Sequence, residues 1–182
     1  MTQTQGFNIA HNTDLPIYEE LAKYPQRAQR FGDAMTLFNS DQGFEPSYLV
    51  DNYDFANIHT GTVVDVGGSH GSVSIEIVQK HPNLHCVVQD FAPVIEEGKR
   101  QLPSNLAKQI SFMEHDFFNK QPVKGADVYF FRWIFHNWSD KYAIKILRNL
   151  IPALKKGARV IINEVCLPKQ GAITALMERT GR

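Results

Sequence analysis

Short apolar segments alternate with amphipathic helical segments along most of the chain, and this alternation constrains the fold more than any other feature. Five segments are apolar at most positions, which is typical of strands buried on both faces of a sheet. They are Thr62–Val66, Leu84–Gln89, Ile110–Met113, Ala126–Phe131 and Arg159–Cys166. Helices are predicted between them over Ser72–Lys80, Pro93–Leu102 and Ser139–Leu154. Because right-handed crossovers join such alternating elements, we expect a doubly wound α/β fold around a mostly parallel sheet.

The first part of the sequence predicts helices only. Pro25–Phe38 places apolar side chains on one helical face, and Pro46–Asn52 is a second, shorter helical segment. In the long helix near the other end of the chain, we expect Ala143, either Ile146 or Leu147, Leu150 and Leu154 to face the core. We therefore expect residues 1–57 to form an N-terminal helical connector and residues 58–182 to form the α/β domain.

The charge balance and the cysteines limit the classes of partner and compartment. Nineteen basic and nineteen acidic residues give a formal net charge of zero, so no long-range field favours nucleic acid or an anionic membrane. The apolar run Val128–Phe135 is much shorter than the roughly 20 residues of a membrane span. Cys86 and Cys166 are isolated, which predicts reduced core residues in a cytoplasmic protein and no metal site. A small molecule or another protein is the expected partner.

A glycine-rich turn follows the first predicted strand. Gly67, Gly68 and Gly71 let the backbone turn tightly and let a ligand approach more closely than a Cβ atom would permit. Asp90 ends the next predicted strand, where a carboxylate can accept hydrogen bonds from both ribose hydroxyls. Ligands of doubly wound folds bind beyond the carboxyl ends of the strands. This combination favours a nucleoside-containing cofactor over a turn that is only structural.

The spacing of the glycines argues against a dinucleotide. Dinucleotide sites use G-x-G-x-x-G, whereas this turn has the spacing G-G-x-x-G. Asp65, just before the glycines, adds negative charge where a pyrophosphate would lie. A cationic sulfonium-bearing amino acid tolerates that charge better. A nicotinamide-dependent reductase is therefore the weaker alternative, and the sequence also lacks a Tyr-x-x-x-Lys pair.

Asp116 and Phe117 follow the third predicted strand and allow two interpretations. The carboxylate can accept a hydrogen bond from the exocyclic amine of adenine while the ring packs on the base. Equally, Asp116 can cap a helix or turn while Phe117 belongs to the core. The residues alone leave both interpretations open.

Several segments resemble the successive motifs of caffeic-acid-type O-methyltransferases, and in particular the fungal branch that serves secondary metabolism. They are Val63–Gly68, Gln89–Asp90, His115–Phe118, Arg132–Asp140 and Ala153–Gly157. The resemblance runs from about Pro25 to Pro168, and its His-x-Trp-Ser-Asp segment is specific. It implies the Rossmann-like fold of class I methyltransferases, S-adenosylmethionine as cofactor, and methyl transfer to a phenolic hydroxyl of a polyketide or other aromatic metabolite.

The resemblance also implies roles for individual residues. His136 matches the family's general base, and Glu164 matches a glutamate that hydrogen-bonds this histidine. Six residues are expected to contact the cofactor: Gly67, Gly68, Asp90, Asp116, Phe117 and Arg132. Without the resemblance, His136 could equally be a capping or solvated histidine near a helix start, and Glu164 could form a strand-end salt bridge.

The sequence departs from the family pattern in ways that bear on function. Asn137 replaces the aspartate that usually follows the histidine. By comparison with the family, we expect about five of seven strands, and neither the N-terminal winged-helix domain nor a second glutamate beside the histidine. A homodimer is compatible with the resemblance, although we expect the domain that the family uses for dimerisation to be missing. The alternative function is a weakly active or inactive cofactor-binding relative that serves as a partner subunit, because the fifth strand is expected to be an uncovered apolar edge.

Overall fold

The computed structural model describes residues 6–15, 17–27, 30–31, 34 and 45–164. Contacts between residues divide the chain into two units, residues 1–48 and 49–182. In the first unit, helix α1 spans Gly6–His11 and α2 spans Ile17–Ala22. Asn8 donates hydrogen bonds to the carbonyls of Thr13 and Leu15, which holds the loop between these two helices. The division between connector and domain at residues 57 and 58 stays a prediction.

The second unit contains the alternating elements that the sequence predicts. Its helices are α3 (Pro46–Asn52, which begins at the end of the first unit), α4 (Ser72–Lys80), α5 (Ala92–Gln101) and α6 (Asp140–Leu150). Its strands are β1 (Gly61–Val66), β2 (Leu84–Asp90), β3 (Ile110–Glu114), β4 (Val128–Arg132) and β5 (Arg159–Asn163). None of the helices among the described residues combines the length and apolar character that a membrane span needs.

All five strands run parallel in one sheet with the order β3-β2-β1-β4-β5. From β1 the chain proceeds outward through β2 to β3, and it then returns to the other side of β1 to form β4 and β5. The reversal places a crevice between the carboxyl ends of β1 and β4, which is where ligands bind in open parallel sheets. The doubly wound parallel sheet is confirmed.

Alternate residues of the central strands point to opposite faces of the sheet, and each face is covered by a separate apolar cluster. Val63 and Phe130 belong to the cluster under α4 and α5, while Val64 and Phe131 belong to the cluster under α6. All four side chains are at most 1% exposed. Burial of both faces explains why the sequences of β1 and β4 are apolar at consecutive positions.

Replacing Phe130 by alanine is expected to lower the free energy of unfolding by about 3–5 kcal/mol, because the cavity that it leaves lies in the centre of the sheet. Urea denaturation measures the change. The matched control is Phe91→Ala, since Phe91 is 52% exposed and its removal leaves no buried cavity. Similar losses for the two variants would contradict the assigned core.

The last predicted helix and the last predicted strand differ from the observed elements. Helix α6 ends at Leu150, and a 3₁₀ turn follows over Ile151–Ala153. Pro152 has no N–H group to continue the helical hydrogen bonds, so the prediction that Leu154 faces the core as part of this helix is wrong, and Leu154 is 38% exposed. Strand β5 ends at Asn163. Met35, Phe38 and Cys166 lie outside the described residues.

Strand β5 forms one edge of the sheet and is the least covered strand. Val160 is 38% exposed and Ile162 is 50% exposed, although both are apolar. The expectation of an uncovered apolar fifth strand is therefore confirmed for the described residues. An apolar sequence alone does not distinguish a central strand from such an edge strand.

Candidate functional site

The carboxyl ends of the five strands bring the predicted site residues to one edge of the sheet. Each lies at a strand end or within four residues after one, and they are Gly67 and Gly68 (β1), Asp90 (β2), Asp116 and Phe117 (β3), Arg132 and His136 (β4) and Glu164 (β5). Parallel strands make this convergence unavoidable, because all their carboxyl ends point the same way. Hydrogen bonds join the glycine turn after β1 to the end of β2 and the loop after β4 to the end of β5, while Asp116 and Phe117 belong to the turn after β3.

The glycine turn is held against the end of β2 by backbone hydrogen bonds. The N–H groups of Gly67 and Gly68 donate to the carbonyl oxygen of Gln89 over 2.8 and 3.0 Å. The N–H group of Ser69 donates to Oδ2 of Asp90 over 2.9 Å. The turn and the Asp90 carboxylate are therefore adjacent, as the sequence predicts.

Gly67 and Gly68 are required by close contacts with neighbouring side chains. A Cβ atom on Gly68 would lie 2.4 Å from the carboxyl carbon of Asp65. A Cβ atom on Gly67 would lie 2.6 Å from Cδ1 of Ile134, and its φ of +73° already disfavours other residues. Gly67 thus lets the loop after β4 pack directly on the turn after β1.

Asp90 is half-buried and keeps acceptor capacity for a ligand. Its Oδ1 accepts a hydrogen bond from the N–H group of Phe91 over 2.8 Å, while Oδ2 accepts the one from Ser69. Burial raises the pKa of the Asp90 carboxyl, and these two hydrogen bonds oppose the increase. Each carboxylate oxygen accepts more than one hydrogen bond, so both oxygens remain capable of binding a ribose diol.

Asp65 is a buried carboxyl group beneath the turn. It is 2% exposed, and its Oδ2 accepts a hydrogen bond from Oγ of Ser74 over 2.8 Å. Burial raises the pKa of Asp65 to about 6 against the opposing effect of the Ser74 hydrogen bond, and the negative charge of Asp90 adds to the increase. Asp65 therefore links β1 to the first turn of α4.

Asp65 is expected to make the free energy of unfolding fall as pH rises through about 6. Its folded pKa lies above its ordinary value of about 3.9, so its stabilising effect is complete below pH 4 and is lost as the folded carboxyl ionises. The change is on the order of a few kcal/mol. Urea denaturation of wild type and Asp65→Asn at pH 4.5 and 7.5 isolates the effect. A difference between the two proteins that does not vary with pH would contradict it.

Asp116 and Phe117 have different surroundings. The two oxygens of Asp116 accept hydrogen bonds from the N–H group of Phe118 over 2.9 Å and from the side chain of Asn119 over 3.2 Å. Asp116 thus organises the turn after β3, and this role is compatible with either interpretation of its sequence position. The ring of Phe117 lies edge-on to Trp138, with the ring centroids 6.0 Å apart.

Arg132 ends β4 close to the glycine turn. Its guanidinium carbon lies 5.0 Å from the centroid of the Trp133 ring. Burial lowers the pKa of Arg132, while the negative charges of Asp65 and Glu76 oppose the decrease. A guanidinium stays protonated under such conditions, so Arg132 provides a cation at this edge of the sheet.

His136 and Glu164 form the second group of the site. His136 lies in a 3₁₀ turn over Phe135–Asn137, and its Nδ1 is 2.7 Å from Oε2 of Glu164. Oε1 of Glu164 accepts hydrogen bonds from the N–H groups of Ile134 and Phe135, both over 2.7 Å. One carboxylate therefore holds both the backbone of the loop and the ring that the loop carries.

The backbone before His136 is bent sharply. Trp133 has a φ of +54°, in the left-handed region that residues other than glycine rarely adopt. Its N–H group donates to the carbonyl of Asn163 over 3.1 Å. The bend directs Ile134 onto Gly67 and leaves the His136 side chain 51% exposed at the edge of the sheet.

Sequence reasoning missed several residues that support the site. Ser74 and Ile134 contact the glycine turn region through side chains, and Gln121 is a buried amide in the loop after β3. Ser74 sits beside the inward positions Val73 and Ile77, which is the one signal that it faces β1. The sequence carries no comparable indication for Gln121, because its partner is 32 residues away.

Comparison with known protein families matches almost the whole chain to one of them. Residues 2–179 match the model of a family described as the O-methyltransferase domain. The chain belongs to this O-methyltransferase family. The resemblance that the sequence motifs carry is therefore confirmed at the level of the family.

Two fungal members of the family are similar over nearly the full chain. The grayanic acid biosynthesis cluster O-methyltransferase of Cladonia grayi is 47% identical over 177 residues, which are 96% of this chain and 39% of that protein. The chlorophenol O-methyltransferase of Trichoderma longibrachiatum is 47% identical over 180 residues, which are 96% of this chain and 38% of that protein. The chain spans about two fifths of the length of these relatives.

A solved structure extends the comparison to the fold. LepI in its complex with SAM is similar with a TM-score of 0.73 and 29% sequence identity, over 94% of this chain and 44% of LepI. The α/β fold of the Rossmann-like methyltransferase type is thereby confirmed.

Proposed function

We propose that the protein transfers a methyl group from S-adenosylmethionine to a phenolic hydroxyl of a secondary metabolite, with His136 as the general base. The observation that carries the proposal is the pair of His136 and Glu164, 2.7 Å apart, at the same sheet edge as the glycine turn and Asp90. A base and a nucleoside pocket at one edge are what such a transfer requires.

The residues around β1, β2 and β3 fit the cofactor. Asp90 would bind the ribose hydroxyls, and the glycine turn would line the cofactor with backbone. Asp116 would accept from the exocyclic amine of adenine while Phe117 packs on the base. Arg132 would bind the carboxylate of the methionine part, for which a guanidinium is well suited.

The orientation of the His136 ring supports its role as a base. Oε2 of Glu164 accepts a hydrogen bond from the Nδ1–H group, so the neutral ring carries its hydrogen on Nδ1, and its Nε2 can accept a proton. The cofactor, when bound, supplies a methyl group on a positively charged sulfur. Nε2 of His136 would accept the phenolic proton as the acceptor oxygen attacks this methyl group, and the sulfur would leave as a neutral thioether. General base catalysis of this kind contributes about 100- to 10,000-fold.

The acceptor class is inferred from the chemistry and from the relatives. An aromatic hydroxyl becomes a good nucleophile only as it loses its proton, which is the step that a histidine base assists. The name of the Trichoderma longibrachiatum relative indicates a chlorophenol as acceptor, and that of the Cladonia grayi relative indicates a biosynthetic cluster. The first name supports a phenolic acceptor, and the second supports a small molecule of secondary metabolism, such as a polyketide, as the partner.

Calorimetric titration with S-adenosylhomocysteine is the first test of the proposal. The wild-type chain is expected to bind the ligand, and Asp90→Ala is expected to weaken binding by at least about tenfold, since the lost hydrogen bonds involve a charged group. Asp51→Ala is a matched control, because Asp51 contacts Lys80 away from the strand ends. A folded wild-type sample that does not bind the ligand would exclude the proposed cofactor.

Methyl transfer from labelled cofactor to phenol and chlorophenol acceptors is the second test. Turnover that depends on His136 supports the proposal. Cofactor binding without turnover on any hydroxylated acceptor would favour the alternative, a cofactor-binding partner subunit. The exposed apolar face of β5 is the observation behind that alternative.

A further inference from the structure

Two buried glutamine side chains form a reciprocal pair behind the proposed cofactor site. Nε2 of Gln89 donates to Oε1 of Gln121 over 2.8 Å, and Nε2 of Gln121 donates to Oε1 of Gln89 over 2.8 Å. Gln89 is 0% exposed and Gln121 is 6% exposed. The two amides are held firmly in this arrangement. Breaking either hydrogen bond would leave a buried polar group with neither a protein partner nor water, which costs free energy.

The main chain of Gln89 holds the glycine turn while its side chain holds the loop after β3. Its carbonyl oxygen accepts one hydrogen bond from the N–H group of Gly67 and one from that of Gly68. Oε1 of Gln121 also accepts a hydrogen bond from the N–H group of Val123 over 3.0 Å, which fixes the loop after β3 next to the pair. The pair therefore sets the distance between the turn after β1 and the loop after β3.

Asn149 extends this arrangement to the segment that carries Asp116 and Phe117. The main-chain carbonyl oxygen of Asn149 accepts a hydrogen bond from the N–H group of Gln121 over 3.1 Å. Its Nδ2 lies 2.6 Å from the carbonyl oxygen of Phe118 and 3.5 Å from that of Phe117. Helix α6 thus holds this segment through its backbone carbonyl oxygens.

We propose that Gln121 and Asn149 are positioning residues for the adenine end of the cofactor site: they hold the segment of Asp116 and Phe117 in register with the glycine turn and Asp90. The inference rests on the proposed function, because it needs a nucleoside in this site. Binding groups must be held within about 0.5 Å of their productive positions, and hydrogen-bonded supporting residues do this. Replacing both amides by apolar side chains of the same shape would remove the two mutual hydrogen bonds together and leave neither amide unpaired, so stability alone does not require these two bonds.

The test compares two ligands that differ only in the base. Calorimetry gives the affinities of wild type, Asn149→Ala and Gln121→Leu for S-adenosylhomocysteine and for its inosine analogue, which lacks the exocyclic amine. Wild type is expected to prefer the adenine ligand by about tenfold or more, as for a hydrogen bond to a carboxylate. Both variants are expected to reduce this preference to less than about threefold, because Asp116 no longer meets the amine. Asn105→Ala is the control, because Asn105 is exposed in the 3₁₀ turn over Ser104–Leu106. This variant should keep the wild-type preference for the adenine ligand.

A double variant separates positioning from stability. Gln89→Leu with Gln121→Leu replaces both buried amides, so its thermal unfolding midpoint should recover relative to Gln121→Leu while the preference for adenine stays low. Equal weakening of both ligands, an unchanged preference in the variants, or no preference in wild type would each overturn the inference. Failure of wild type to bind S-adenosylhomocysteine at all would instead remove the proposed function on which it rests.

Discussion

Replacing His136 by alanine is expected to lower methyl transfer to an unsubstituted phenol by about 100- to 10,000-fold, the usual contribution of a general base. Affinity for S-adenosylhomocysteine should stay within about twofold of wild type. The His136 side chain is 51% exposed, so its removal should leave the fold, and with it the cofactor site, intact. Single-turnover transfer of a labelled methyl group measures the first quantity, and calorimetry measures the second.

The acidity of the acceptor distinguishes a base from a side chain that only shapes the pocket. Chlorine substituents lower the pKa of a phenol, and a phenol that carries several of them is already largely ionised at neutral pH, so it needs less help in losing its proton. The loss caused by His136→Ala should therefore be much smaller with such an acceptor than with the unsubstituted phenol. The same fractional loss with both acceptors would contradict the role of base.

A matched histidine provides the control for this experiment. His85 lies at the start of β2, where its Nε2 is 3.2 Å from Oγ of Ser111 and far along the strand from Asp90. His85→Ala is expected to leave transfer to both acceptors unchanged. An equal effect of the two alanine variants would point to a general loss of structure.

Replacing Glu164 by glutamine is expected to reduce transfer about as strongly as removing His136, by roughly 100- to 10,000-fold. The N–H groups of Ile134 and Phe135 require an acceptor, so the amide oxygen of the glutamine takes the place of Oε1. Its NH₂ group then faces Nδ1 of His136 and donates to it. The ring hydrogen moves to Nε2, and that nitrogen no longer accepts a proton from the phenol.

This substitution changes the hydrogen position and preserves the shape of the loop. Circular dichroism and affinity for S-adenosylhomocysteine should match wild type, while Glu164→Ala should also lower the unfolding midpoint, because two N–H groups lose their acceptor. The double variant His136→Ala with Glu164→Gln should lose no more activity than either single variant, since the two residues act as a unit. Additive losses in the double variant would show that Glu164 acts independently of His136.

Much of the fold was accessible from the sequence because its signals are local. The apolar runs of β1 to β4 and the helical periodicity of α4 predict elements whose observed bounds agree to within about two residues. The end of α6 was not predicted, although Pro152 was visible in the sequence, because the apolar residues continue through the 3₁₀ turn with the same periodicity. The exposure of β5 depends on its place in the sheet, which its own residues do not encode.

The candidate site divides in the same way. Strand ends that alternate with helices must converge at one edge, so Gly67, Asp90, His136 and Glu164 were predictable as neighbours of that edge. The contacts that hold them were not. Gln89 and Gln121 meet across 32 residues, and the contact of Ile134 with Gly67 arises where two loops cross.

The sequence by itself determined the order of strands and helices, the parallel sheet and the edge at which a ligand binds, since each follows from patterns within a few turns of chain. Only the tertiary structure decided which atoms share that edge: the carboxylate that orients a histidine, the glycines that face protein side chains, and the amide pair beneath the turn. These depend on distances between segments far apart in the chain, and such distances are set by packing of the whole domain.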